Sequence, residues 1–233
     1  AHVIDTGALR IRDEMLAEFP REPAEIRRHI AEYYAMITHL DAAFGRLVGA
    51  LRAAGELDNT IIVVAGDNGL AVGQHGLMGK QNLYDHSVRV PLLFAGPGIP
   101  EGARSDALVY LLDLFPTLCD LTGCAIPESV EGRSLAGCLA DPALPHRDDL
   151  YLAYCESIRG LTDGRYKWIE YAGGARQLFD LQVDPDELRN LVDKPAARPV
   201  AEAMAVRVRE QAAQWDDREH PLGAAFWAAI DAR

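Results

Sequence analysis

The feature that most limits the fold lies between residues 20 and 66. The segment PAEIRRHIAEYYAMITHLDAAFGRLVGALRAAG sets Ile26, Ile30, Tyr33, Tyr34, Ile37, Leu40, Phe44, Leu47, Val48 and Leu51 at helical spacing. Pro23 suits a first turn, where a missing N–H removes no helical hydrogen bond, and Gly55 suits a C-terminal stop. LDN then turns the chain into TIIVVAG, a β-branched run too apolar to alternate. Such a run fits a strand covered on both faces, as in a parallel sheet under helices. A helix, a short turn and a buried strand make half of a βαβ unit.

RVPLLFAGPGI reads as a second buried strand, stopped by GPG. SDALVYLLDLFPTLCDLTG reads as a helical region capped by Ser105 or Asp106 and ended by Gly123, with a kink or break expected at Pro116. From about Pro127 the character changes. GRSLAGCLADPALPHRDD is a loop-rich bridge, and LYLAYC, IRGLTDGRYKWIEY and RQLFDL read as antiparallel strands. Asp163-Gly164 is a hairpin turn signal between two of them. PVAEAMAVRVREQAAQWDDRE reads as a closing amphipathic helix. The order implies part of a larger α/β sheet followed by a small α+β unit. Only two convincing core strands precede residue 127, few for a complete doubly wound domain.

A formal net charge of −12 over 233 residues argues against nucleic acid as the main partner, since phosphate binding needs a basic face. No apolar run approaches the roughly 20 residues of a membrane span. No charged n-region followed by an apolar h-region opens the sequence, and it starts abruptly without methionine. Cys119, Cys124, Cys138 and Cys155 lack CxxC or zinc-site spacing and read as ordinary thiols, with a Cys119–Cys124 disulfide left open.

In open α/β sheets ligands gather at the carboxyl ends of strands. Asp67 and Asn68 occupy that end of the first apolar run. A carboxylate beside an amide oxygen offers hard ligands for calcium or magnesium. The same DNG tripeptide also fits a tight turn. Lys80, thirteen residues after Asp67, reads either as a point charge for sulfate or phosphate or as a solvated surface lysine. His75, in GQHG, reads as a substrate donor, an acid or base, or a loop histidine with structural hydrogen bonds. Tyr84, Asp85 and Arg89 read as architectural.

At these residues the sequence resembles the formylglycine-dependent sulfatases of the alkaline phosphatase superfamily. The likeness is carried by YYAMITHLDAAFGRLVGALRAAGELDNTIIVVAGDNG, then GQHGLMGKQNLYDHSVRVPLLFAGPGI, GRSL, TDGRYKWIEY and QLFDLQVDPDELRNL. It runs in order from about Arg28 to Leu191. The resemblance implies the second half of an alkaline-phosphatase-like α/β/α sheet domain over residues 1–126. A small α+β subdomain with an antiparallel sheet and a terminal helix is implied over residues 127–233. It makes Asp67 and Asn68 two metal ligands, for Ca2+ or alternatively Mg2+, and Lys80 a contact to the sulfate group. His75 falls in a more variable loop.

The family's nucleophile, a Cys or Ser in a Cys/Ser-x-Pro-x-Arg signature that becomes formylglycine, has no counterpart here, nor has its first Asp-Asp metal pair. The resemblance is therefore to the C-terminal half of a sulfatase, with formylglycine expected in a missing N-terminal half. The implied reaction is hydrolysis of a small-molecule or carbohydrate sulfate ester, with the isolated chain expected to lack turnover. A phosphonate or phosphate ester hydrolase of the same superfamily and a non-catalytic binding or assembly module are the alternatives. Asp-Asn in place of Asp-His favours sulfate, because histidine suits zinc and phosphate chemistry. An uncovered sheet edge and apolar faces imply self-association or pairing with the missing half.

Overall fold

The computed structural model describes residues 4–233. Helix α1 spans Pro23–Ala53, with Pro23 in its first turn. A 3-10 turn at Leu57–Asn59 leads into strand β1, Ile62–Ala65. A long connection carries the short helix α2, Asp85–Val88, and returns through β2, Leu92–Ala95.

Two expectations fail at this point. β1 and β2 pair directly and antiparallel, Val63 opposite Phe94 and Val64 opposite Leu93, so the two apolar runs are not parallel neighbours. Nor are they covered on both faces. No residue of α1 or of either strand is fully buried, and Tyr34, Leu40 and Leu93 are 64%, 67% and 58% exposed. An apolar run encodes a demand for burial but not the direction of its partner strand.

The apolar stretch from residue 105 also departs from expectation. Residues 103–110 form no helix, although Ser105 Oγ accepts the Ala107 amide at 3.2 Å. A 3-10 turn at Leu111–Asp113 leads into α3, Leu114–Thr122, which Gly123 ends at φ 71°. Pro116 falls in the first turn of α3, where its absent N–H breaks no helical bond, so no kink arises. Helix α4 is Ala136–Ala140. The cysteines are all free, Cys119 buried and Cys124 exposed.

The segments beyond residue 149 build the core. Strands β3 (Leu150–Tyr154), β4 (Ile158–Thr162), β5 (Tyr166–Tyr171) and β6 (Arg176–Asp180) form one antiparallel sheet in that order. Asp163 Oδ1 fastens the β4–β5 hairpin by accepting the Arg165 and Tyr166 amides at 3.1 and 2.7 Å. Leu161, Trp168 and Leu178 face α5, Arg198–Gln214, which packs on them through Ala201, Met204, Val208 and Ala212 at helical spacing. A further helix, α6 at Pro221–Asp231, adds Phe226, Trp227 and Ile230 to the same core. Asp217 locks the α5–α6 junction to the sheet by accepting from Arg159, Tyr151 and Trp227 at 2.8–2.9 Å.

The opposite face of the sheet determines where the site lies. Ile158, Ile169, Tyr171 and Phe179 take Ala71, Leu77, Leu83 and Tyr84 from the β1–β2 connection. Burying each such large side chain contributes about 1.5–3 kcal/mol. The connection between the two apolar strands is therefore moulded on the C-terminal sheet. Among the described residues no helix is long and apolar enough to cross a membrane.

Candidate active site

Asp67 and Asn68 leave β1 through Gly66, and the surrounding bonds decide between turn and strand end. A tight turn would return the chain to a strand beside β1. Instead the Gly66 amide donates to Pro91 O at 3.2 Å and the Gly69 amide to Ser87 O at 2.9 Å. The segment is thus sewn to α2 and its exit, far along the chain. Gly69 is required there: a Cβ at this position would stand 1.9 Å from the His86 carbonyl oxygen.

Asp67 Oδ1 accepts the Asn68 amide at 2.8 Å, and Asn68 Nδ2 donates to Gly69 O at 2.9 Å. These bonds leave one carboxylate oxygen and the Asn68 amide oxygen as acceptors. Asp67 is exposed and Asn68 half-buried. Such a donor set has the chemistry of a hard divalent cation's ligands, but such a cation takes six or more oxygens, and two supply only part of that number. Among the described residues no group of three or more His, Cys, Asp or Glu is arranged to complete it.

Backbone pairing folds the chain between this pair and Lys80. Gly73 donates to Leu77 O at 2.7 Å, Val72 to Met78 O at 3.4 Å and Ala71 to Gly79 O at 2.9 Å. The chain from 71 to 79 closes on itself, and Lys80 follows the residue opposite Ala71.

His75 sits at the tip of that loop with φ 55°, and it is buried. Its ring stacks on Tyr84, centroids 3.9 Å apart and 7° from parallel, with His86 5.6 Å away. Burial, reinforced by His75, pushes the His86 imidazole down to about 3. Both imidazoles belong to a packed aromatic group between the loop and the sheet.

Three buried groups that the sequence reading missed hold the loop. Lys167, on β5, is wholly buried and bonds Asp85 of α2 and, at 2.8 Å, Glu187. Glu187 also accepts the Asp85 amide at 2.6 Å. Burial pushes the Glu187 carboxyl up, against the pull of Lys167. The third is Glu14, whose carboxylate accepts the Met78 and Gly79 amides. Lys167 carried a readable signal, since YKWIEY sets it in phase with Ile169 and Tyr171 on an inward face. Arg89 pairs with Asp85 only at 3.7 Å and is exposed.

A family model described as "Sulfatase" matches residues 8–124, and one described as "N-sulphoglucosamine sulphohydrolase, C-terminal" matches residues 73–214. The chain belongs to the sulfatase family. The two matches overlap across the Asp67-to-Lys80 loop only in part, and together they run from the N-terminal segment to the end of α5. The chain is 36% identical to "Arylsulfatase K" of Mus musculus over 182 residues, 72% of this chain and 33% of that protein. It superposes on the structure titled "BT4656 in complex with its substrate D-Glucosamine-2-N, 6-O-disulfate" with a TM-score of 0.78 and 28% identity. That likeness covers 83% of this chain and 42% of the other. A phosphonate monoester hydrolase from Silicibacter pomeroyi gives a TM-score of 0.77 and 26% identity over 84% of this chain and 43% of its own. The chain spans about a third of the curated relative it matches. These neighbours carry the alkaline-phosphatase-like α/β fold, to which the antiparallel subdomain is joined.

Proposed function

We propose that this chain is the C-terminal part of a sulfate-ester hydrolase and supplies half of its active site. What supports the reading is the Asp67–Asn68 pair just past the end of β1, with Lys80 following the closed 71–79 loop, in a chain of the sulfatase family. Asp67 and Asn68 offer oxygens to a divalent cation, Ca2+ in the first instance and Mg2+ as the second fit. Such a cation, when bound, polarises sulfate oxygens. Lys80 places its ammonium against the sulfate group, offsetting the negative charge that develops as the ester bond breaks. His75 holds the loop in shape through its stacking on Tyr84, and its place in the loop that leads to Lys80 supports a further part as a donor to substrate. The nucleophile, expected as formylglycine, and the remaining ligands come from a segment outside these 233 residues. The substrate is a small-molecule or carbohydrate sulfate ester.

The test uses the full-length gene product and the 233-residue chain side by side on an aryl sulfate with added Ca2+. Turnover is expected only from the full-length product, and Asp67→Ala should abolish both turnover and the rise of Tm on adding Ca2+. Turnover by the 233-residue chain alone would overturn the half-site reading. The likeness to a phosphonate monoester hydrolase supports a second reading, so a phosphonate ester is assayed in parallel. Preference for that substrate would replace sulfate by phosphonate chemistry on the same residues. A full-length product inert on both, and indifferent to Ca2+, would favour a binding or assembly module.

A further inference from the structure

Glu14 opens a 3-10 turn, Glu14–Leu16, within the charged stretch RIRDEM, yet it is only 4% exposed. Its Oε2 accepts the Met78 amide at 2.9 Å and the Arg21 guanidinium at 2.6 Å, and its Oε1 accepts the Gly79 amide at 2.7 Å. Arg21 is itself buried, reaching the Glu14 carbonyl at 2.8 Å and Gly76 O at 3.2 Å. An ionised carboxylate out of water is costly unless it is paired and hydrogen-bonded, and here three donors converge on it. The two amides it takes belong to the residues immediately before Lys80. Gly79 fits because it has no side chain: a Cβ there would lie 2.5 Å from Gln81 Oε1 and 2.9 Å from Glu14 Oε1. Gln81 completes the grip, accepting the Lys80 amide at 3.0 Å and donating to Asp13 at 2.9 Å.

We propose that Glu14 is a positioning residue for Lys80, fixing the path of the chain as it enters Gly79–Lys80 through the Met78 and Gly79 amides. The inference rests on the reading of Lys80 as the sulfate contact. The charge arrangement fits that role. A bare carboxylate beside an anion-binding lysine would repel sulfate, but Arg21 pairs with Glu14 at 2.6 Å and Arg12 with the neighbouring Asp13 at 2.7 Å. Clamp and lysine lie in different parts of the chain, with the 31 residues of α1 between them. The N-terminal segment therefore sets the geometry of a loop that the C-terminal sheet carries.

The experiment compares Glu14→Ala and Glu14→Gln in the full-length gene product, alone and combined with Lys80→Ala. With an aryl sulfate, each Glu14 variant should lower kcat about 10–100-fold, the effect of a displacement on the order of 1 Å. In the Lys80→Ala background the same substitutions should cost little further, because their effect passes through Lys80. An unchanged kcat, or an equal loss with and without Lys80, would overturn the assignment. Thermal melting identifies a variant that does not fold, and Glu14→Gln, which keeps the side chain's size, then carries the comparison. Hydrogen–deuterium exchange across residues 77–82 is read in the same proteins. The clamp predicts exchange at least about 10-fold faster there with β5 unchanged, and unchanged exchange overturns it whatever the substrate. A wild-type protein that hydrolyses no sulfate ester refutes the functional reading while this second readout still judges Glu14.

Discussion

Replacing Lys167 by Met tests whether the C-terminal sheet holds the Lys80 loop electrostatically as well as by packing. Met keeps the aliphatic stem and removes the ammonium, leaving the Asp85 and Glu187 carboxylates facing each other. Glu187 has only 2% side-chain exposure and Lys167 none, so water cannot replace the lost partner. Breaking a buried pair by removing one member costs about 3–5 kcal/mol. Protonation of Glu187 limits that loss. Holding a glutamate of ordinary pKa 4.5 neutral at pH 7 costs about 3.4 kcal/mol, and at pH 5 about 0.7 kcal/mol.

The sign follows from proton counting. Burial already pushes Glu187 up, and removing Lys167 deletes the opposing pull, so the folded variant binds a proton that the unfolded chain releases above 4.5. Its stability therefore falls as pH rises through that window. The expected result is a deficit against wild type of about 3–4 kcal/mol at pH 7, shrinking to about 1 kcal/mol at pH 5. For a chain of this size the pH 7 loss corresponds to roughly 6–16 °C in Tm. Urea unfolding followed by tryptophan fluorescence at both pH values measures it. A deficit below about 1 kcal/mol at pH 7, or one that does not shrink at pH 5, would refute the buried-charge argument.

His86 titrates in the opposite sense. Its folded value of about 3 lies below the ordinary 6.5, so only the unfolded chain takes up the proton and stability is lost as pH falls below 6.5. Between pH 7.5 and 5 the wild type should lose about 2 kcal/mol more than His86→Gln in paired urea titrations, the contribution of Glu187 being common to both. Gly69→Ala should cost about 1–3 kcal/mol by driving a methyl into the His86 carbonyl 1.9 Å away, and should weaken Ca2+ binding in the full-length product. Gly66→Ala, whose Cβ meets Pro91 and Val90 at an ordinary 3.5 Å, is the control and should shift the urea midpoint little.

The antiparallel sheet was legible because the Asp163-Gly164 turn signal separates two of its strands, and a hairpin stands there, although its register, Thr162 opposite Lys167, could not be read. Helix α6 was not read. PLGAAFWAAID is apolar on nearly every face, and its N-cap is His220, whose Nδ1 accepts the Leu222 amide at 3.3 Å, where the usual signal is Ser, Thr, Asp or Asn. Pro116 misled because a proline's effect depends on its distance from the helix start, and that start lies nearer to it than the apolar run suggested. The strand end before Asp67 and Asn68 was legible from the apolar run that precedes it. The closure of the following loop was not, because it is made by backbone pairs from Ala71 to Gly79 that any side chains could accompany. Glu14 was illegible for a different reason: its partners are amides 64 and 65 residues away.

The exposed half of the molecule and the partial metal shell have one explanation under the proposed function. Leu40 and Leu47 of α1, Leu93 of β2 and Phe115 of α3 are each more than half exposed, and each forgoes about 1–2 kcal/mol available on further burial. Sequences with that stripe on a 31-residue helix are written for a covered surface. The sheet-facing side of the β1–β2 connection, by contrast, is packed, ion-paired and clamped at Tyr84, Lys167 and Glu14. Order therefore concentrates where this chain supplies its own partners, around Lys80. Exposure concentrates on the elements that lead to Asp67 and Asn68, where the missing ligands are required. A complementary segment that covers α1 and β2 while delivering those ligands would satisfy both demands at once, and the formation of the metal site would then be coupled to the burial of the apolar stripe.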